Sequence, residues 1–332
     1  MSDTKNINVM ILNPAPDDHR IYINKIMNNY PQVLMFYPET REEQIKFAPD
    51  MQVIVGRDVE LEVLEAAEKL QMYIFSGTGV DGLLRIYSKY SRKHEVVLCN
   101  THRSSYNCSQ HVIAMLFALM NRILIHDQRM RNQEKSQRNP ESTLIKDKTI
   151  GLLGYGPINQ FVHSFLRGFN VKFAILKRNW NDEEVLGEIE QYTSDNLIEF
   201  LQNIDVLSIA LPLTDETNGM IGEQELEALG ENSFLVNVSR GAIIEQEALY
   251  NALRERRIAG AGLDVWYDVE EENRYGYSRN YPFHELDNVI LSPHRANSGG
   301  LLSKWNPVFV NIKKMADGDS NLVYVIDIDR GY

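Results

Sequence analysis

At 332 residues the chain exceeds what one ordinary hydrophobic core accommodates, so two domains are expected. Hydrophobic residues at 43% and charged residues at 24% match a soluble globular protein and exclude a disordered one. A formal charge of −12 excludes a duplex nucleic-acid binder, which needs a basic face to displace phosphate counterions.

The opening stretch, MSDTKNINVMILNPAP, carries no signal-peptide core. Short apolar runs at 8–13 (NVMILN) and 52–55 (QVIV), bounded by turn chemistry, are expected to be buried strands. A helical pattern over 58–70 leads to a strand at 72–76, which runs into the turn Gly77-Thr78-Gly79-Val80-Asp81. This alternation predicts an open α/β sheet. The helical pattern over 108–130 is at first apolar on nearly every side, as in a helix buried between two layers or two subunits. Its apolar run, 112–120, is too short to span a bilayer, so no membrane partner is expected. Residues 132–139 are polar and read as a surface connection ending at Pro140. Two cysteines, Cys99 and Cys108, supply neither a disulfide framework nor a four-thiolate zinc site, which points to a reducing, cytoplasmic location. The eight histidines show no ligand-like spacing, so no metal is expected.

From Thr149 the alternation restarts. Strands are expected at 149–153, 172–176, 206–211, 234–238, 260–265 and 289–291, with helices at 157–169, 195–202, 223–229 and 246–254. Such a series folds as a parallel, doubly wound sheet. Gly154-Tyr155-Gly156-Pro157-Ile158-Asn159 follows the strand TIGLL and opens a helix. Gly154 permits the tight turn, Gly156 lets backbone N–H groups approach a pyrophosphate, and Pro157 suits the first helical turn. The helix carries Ile158, Phe161, Val162, Phe165, Leu166 and Phe169 as a stripe for packing on the sheet. Asn159 stands where the dinucleotide motif has its third glycine.

An NAD site places a carboxylate at the end of the next strand to hold the adenosine ribose. Here the sequence reads Ala174-Ile175-Leu176-Lys177-Arg178, with no acid until Asp182. Lys177 and Arg178 suit the 2′-phosphate of NADP through charge-assisted bonds, so NADP is expected as cofactor, with NAD as the alternative. Farther on, NVSRG (237–241) delivers Arg240 at a strand's C-terminal end, where its bidentate fork suits a carboxylate and an adjacent carbonyl. GLDVW (262–266) ends the next strand and NVILSPH (288–294) the last, which offers His294 for proton transfer.

In LPLTDETNGMIG (211–222), NVSRGAIIEQEAL (237–249), RIAGAGLDVW (257–266) and LDNVILSPH (286–294), the chain resembles the D-isomer-specific 2-hydroxyacid dehydrogenases. The resemblance implies two Rossmann-like or flavodoxin-like domains with parallel sheets and the active site in the cleft between them. The substrate domain would comprise 1–101 plus 297–332, and the dinucleotide-binding domain 102–296. It further implies that Arg240 binds the substrate and His294 is the general acid, with Thr78 and Gly79 N–H groups holding the carboxylate. Pro157, Ile158, Pro212, Ser239 and Asp264 would line the dinucleotide, and the helix after Ser105 would join a homodimer. The family's histidine-orienting glutamate stands five residues after the strand-end aspartate. Here that position is Val269, so either Glu270 serves or no carboxylate does. The expected reaction is hydride transfer between NAD(P)H and a small 2-oxo or 2-hydroxy acid. The alternative is a non-catalytic, corepressor-like dinucleotide sensor of the same fold. Arg57, His102 and Arg103 lie on loops of the substrate side, where exposed cations are usually only solvated.

Overall fold

The computed structural model describes residues 6–12, 16–101, 104–134, 139–180, 189–267, 281–297 and 301–329. The chain divides into two compact units: Met1–Arg103 with Gly299–Tyr332, and Ser104–Ser298.

The first unit carries strands β1 (Ile7–Ile11), β2 (Val33–Phe36), β3 (Val53–Gly56), β4 (Met72–Phe75) and β5 (Val97–Cys99). They pair in the order β2-β1-β3-β4-β5, every pair parallel. Helices α1 (Asp17–Met27), α2 (Arg41–Phe47), α3 (Leu61–Ala66) and α4 (Asp81–Tyr87) lie between them, and the returning α11 (Leu301–Ala316) joins from the C-terminal segment. Both faces of the sheet are apolar because helices cover both. Met10, Ile54 and Tyr73 point into one core, while Val9, Ile11, Val55 and Ile74 point into the other with Trp305, Val308 and Phe309 of α11.

In the second unit β6 (Thr149–Leu153), β7 (Lys172–Leu176), β8 (Ile189–Tyr192), β9 (Val206–Ile209), β10 (Phe234–Asn237), β11 (Gly260–Leu263) and β12 (Val289–Leu291) form the other sheet. Its order is β12-β11-β10-β9-β6-β7-β8, again wholly parallel. The order reverses between β6 and β9, the switch point where such sheets bind ligands at their strand C-termini. Helices α5 (Ser105–Met120), α6 (Ile123–Arg131), α7 (Pro157–Leu166), α8 (Leu197–Gln202), α9 (Glu223–Leu229) and α10 (Gln246–Arg254) complete the unit. One core joins Leu153, Leu207, Leu235 and Leu263 to α8, α9 and α10; the other joins Ile150, Ile175 and Val236 to α5 and α7. Burying each such side chain contributes about 1.5–3 kcal/mol.

Several elements differ from expectation. The helix expected over 108–130 is two helices bent by 66°, broken where Arg122 adopts a left-handed φ of 54°. No single helix among the described residues is long and apolar enough to cross a membrane. The stripe on α7 also divides. Val162 and Leu166 are buried against the sheet, whereas Phe161 and Phe165 stack edge-on against Tyr106 of α5 and Phe169 packs on Phe117. Edge strand β8, reading Ile-Glu-Gln-Tyr, is half-exposed and carries no apolar run to announce it.

Candidate active site

The turn after β6 is built around Gly154. Its φ is +81°, and a Cβ there would lie 2.7 Å from the Ala210 carbonyl oxygen, where the ends of β6 and β9 diverge. Only glycine fits without strain. At Gly156 the situation is opposite, since a Cβ would touch nothing within 4 Å. This glycine answers no need of the protein's own packing, and it leaves a bare backbone at the mouth of α7. The first intrahelical bond is Gln160 N–H to Gly156 O, so the N–H groups of Ile158 and Asn159 precede any helical partner. Bare backbone, orphan N–H groups and the positive end of α7 together fit a dinucleotide pyrophosphate.

At the end of β7, Lys177 Nζ lies 4.2 Å above the Trp180 ring, and the Trp180 indole donates to the Tyr192 carbonyl at 2.9 Å. Arg178 pairs with Glu216, a residue of the loop after β9. Lys177 therefore lies on an aromatic plane, while Arg178 beside it meets the Glu216 carboxylate. Asp182 lies outside the described residues.

Arg240 and His294 stand at the C-terminal ends of strands in the same sheet. The turn after β10 is organised by Asn237, whose Oδ1 accepts from the Ser239 N–H (3.0 Å) and hydroxyl (2.7 Å), while its Nδ2 donates to the Arg240 carbonyl at 2.9 Å. The Ser239 hydroxyl, expected to line the dinucleotide, thus serves the turn. The Arg240 guanidinium is half-buried and donates to the Ser239 carbonyl at 2.8 Å. Gly241 allows this turn to meet the end of β11, because a Cβ there would fall 2.5 Å from the Trp266 carbonyl oxygen.

Asp264 was expected to line the dinucleotide as well, but its carboxylate is buried and committed to the histidine loop. It accepts from the Ser292 hydroxyl and from the backbone N–H groups of Arg295 (2.6 Å) and Ala296 (2.8 Å). His111 of α5 completes the cluster, its Nε2 lying 2.9 Å from Ser292 Oγ and 3.6 Å from Asp264 Oδ1. The loop so held carries His294 at a left-handed φ of 55°, an uncommon conformation for a non-glycine residue. His294 Nδ1 faces the Asp264 backbone carbonyl at 3.2 Å. A proton on Nδ1 leaves Nε2 as the working nitrogen. Glu270 lies outside the described residues.

Pro212 is exposed, and its carbonyl accepts from the Thr217 hydroxyl at 2.7 Å. In the first unit, the Ser76–Gly79 turn is pinned by its neighbour strand: Asn100 Nδ2 donates to the Thr78 carbonyl (2.6 Å), and the Thr101 N–H to that of Gly77 (2.9 Å). Thr78 Oγ1 donates to the Thr101 carbonyl at 2.8 Å, and Gly79 is exposed. Arg57, following β3, lies over the Phe75 ring with its buried Nε unpartnered. His102 and Arg103 lie outside the described residues.

Sequence reasoning missed Asn237, Ser292, His111 and Glu216. Asn237 was legible as an Asx turn ahead of a glycine. The other three act through tertiary contacts that no local pattern announces.

Residues 113–296 match the family model for the D-isomer specific 2-hydroxyacid dehydrogenase NAD-binding domain. The glyoxylate reductase of Thermococcus litoralis is 32% identical over 263 residues, covering 76% of this chain and 75% of that protein. The D-3-phosphoglycerate dehydrogenase of Methanocaldococcus jannaschii is 27% identical over 94% of this chain but only 58% of its own length. Among solved structures, an acyclic imino acid reductase in complex with NADPH and D-Arg superposes with a TM-score of 0.76 at 26% identity, covering 97% of this chain and all of that one. A probable 2-hydroxyacid dehydrogenase from Rhizobium etli, at 19% identity and a TM-score of 0.81 over 99% of this chain and all of that one, shares the fold. These relatives are reductases and dehydrogenases, which favours an enzyme over a non-catalytic sensor. With a glycine turn at the sheet's switch point and an arginine and a histidine at its strand ends, the chain belongs to the D-isomer specific 2-hydroxyacid dehydrogenases, NAD(P)-dependent oxidoreductases of 2-oxo and 2-hydroxy acids.

Proposed function

We propose that this enzyme reduces a small 2-oxo acid of the glyoxylate or hydroxypyruvate type, with Arg240 binding the substrate and His294 delivering the proton. One observation carries the reading. His294 is held in a strained backbone conformation, its Nδ1 on the Asp264 carbonyl, at the same end of the sheet as Arg240. When bound, the nicotinamide supplies the hydride. Arg240 neutralises the carboxylate and polarises the neighbouring carbonyl, and His294 Nε2–H donates to the oxygen that becomes the hydroxyl. Thr78 and Gly79 are assigned as further carboxylate donors. Gly154, Gly156 and the first turn of α7 hold the pyrophosphate, while Lys177 and Arg178 hold the 2′-phosphate of NADP.

The test is oxidation of NADPH and NADH against a panel of 2-oxo acids. Turnover of a two- or three-carbon 2-oxo acid, with the lower KM for NADPH, is expected. Glu216 competes with the phosphate for Arg178, so Glu216→Gln should lower the NADPH KM roughly threefold and leave that of NADH unchanged, as fits an exposed ion pair. No turnover on any acid sinks the proposal.

We assign the exposed apolar side chains Tyr106, Phe161 and Phe169, with Ile123, Leu124 and Met130 of α6, to a homodimer interface. Sedimentation as a monomer at micromolar concentration would remove this assignment.

A further inference from the structure

We propose that Asn159 is a positioning residue for the dinucleotide, fastening the phosphate-binding turn from beneath in place of the motif's third glycine. In the usual motif that glycine lets α7 approach the sheet closely. Here the position is fully buried, and the side chain bridges three elements. Its Nδ2 faces the carbonyls of Gly154 (2.7 Å), Leu153 (3.2 Å) and Ser208 (3.2 Å), and its Oδ1 accepts from the Ser208 hydroxyl at 2.8 Å. Strand β6, strand β9 and the first turn of α7 are thereby tied at the switch point.

The contact with Gly154 has a consequence for binding. Asn159 draws the Gly154 carbonyl into the protein, and in a trans peptide the N–H of the following residue points the opposite way. The Tyr155 N–H is therefore presented away from the core. The left-handed φ of Gly154 and the open space beside Gly156 belong to the same turn. A second strap acts one residue earlier, where the Ser109 hydroxyl of α5 reaches the Ile158 carbonyl at 2.7 Å. Preorganised donors bind an anion without the cost of ordering them on contact. On this account Ser208 is part of the device, since its hydroxyl orients the amide so that Nδ2 rather than Oδ1 faces the three carbonyls.

This inference rests on the assignment of the 154–159 turn to the dinucleotide. The test measures the NADPH Kd by quenching of protein fluorescence, kcat and the 2-oxo acid KM at saturating NADPH, and the thermal midpoint of the free enzyme. Asn159→Gly restores the motif but removes the fastening. It is expected to raise the NADPH Kd about tenfold, with NADH affected alike, while kcat and the 2-oxo acid KM stay within about twofold, a loss of the order of one or two net hydrogen bonds. Ser208→Ala, which keeps the amide but frees its orientation, is expected to raise the Kd about threefold by the same reasoning. Should Asn159→Gly not fold, Ser208→Ala carries the test alone. A lowered thermal midpoint with unchanged NADPH Kd in the folded variants would make Asn159 merely structural and overturn the proposal. Failure of the wild-type enzyme to bind either dinucleotide would overturn the turn's assignment itself and this inference with it.

Discussion

His294→Asn is expected to lower kcat for 2-oxo acid reduction by about 10²–10⁴-fold, the usual worth of a positioned general acid. The KM for NADPH should change little, because nothing in the phosphate-binding turn is disturbed. Asparagine is the informative replacement for a backbone reason. His294 sits at φ 55°, a region that asparagine tolerates far better than alanine or a β-branched residue. The loop should therefore keep its shape while losing the group that gives up a proton. An asparagine amide can still donate a hydrogen bond to the carbonyl oxygen, but it cannot transfer the proton. Substrate binding is thus expected to survive while turnover collapses. Steady-state NADPH oxidation at saturating 2-oxo acid reads the effect, and a kcat within about threefold of wild type would remove His294 from the chemistry, far short of the expected loss.

Much of this site is legible in the sequence because strands announce their own ends. The apolar runs TIGLL, FLVN and GAGL are buried on both faces, and the first polar residues beyond them must lie at the C-terminal edge of a parallel sheet. That logic placed Gly154, Arg240 and Asp264 correctly at strand ends, with no contact information needed. It failed where a residue's duty depends on what lies across from it. Asp264 stands where expected, yet its carboxylate is consumed by Ser292, Arg295 and Ala296, residues about thirty positions away. The stripe on α7 is right in period but divided in partner, since two of its three aromatics meet Tyr106 and the third meets Phe117. By sequence, Asn159 is only a departure from the glycine motif. Its purpose became visible only with the Ser208 hydroxyl and three carbonyls around it. The break at Arg122 illustrates a further limit, because a left-handed arginine over the Phe234 ring is a tertiary choice that helical periodicity does not encode.

The commitment of Asp264 leads to the largest expected change in stability. Asp264→Ala leaves the Ser292 hydroxyl and the Arg295 and Ala296 N–H groups without their acceptor in a nearly water-free place. Each unsatisfied buried donor costs about 1–3 kcal/mol, and loss of a buried charged partner typically costs about 3–5 kcal/mol in all. At about 2–4 °C per kcal/mol for a unit of this size, the thermal midpoint should fall by roughly 6–20 °C. Ser292→Ala, by comparison, removes one hydroxyl and should cost only about 1 kcal/mol. The kinetic signature distinguishes a loop anchor from a general weakening. Below its melting temperature, the Asp264→Ala enzyme should lose kcat by at least tenfold, because the 292–296 loop no longer holds His294 in its strained conformation, and misplacement by about 1 Å can cost 10²-fold. The NADPH Kd should rise much less, since the carboxylate faces its own chain. Asn at this position is not a rescue. Its amide would set an NH₂ group against an N–H or hydroxyl donor, so Asp264→Asn should fall nearer to Ala than to wild type. Calorimetry and initial rates on the same preparations decide the matter: an unchanged midpoint would mean that the carboxylate does not anchor the loop. A large rise in NADPH Kd with kcat intact would return Asp264 to the dinucleotide, the role the family resemblance implies.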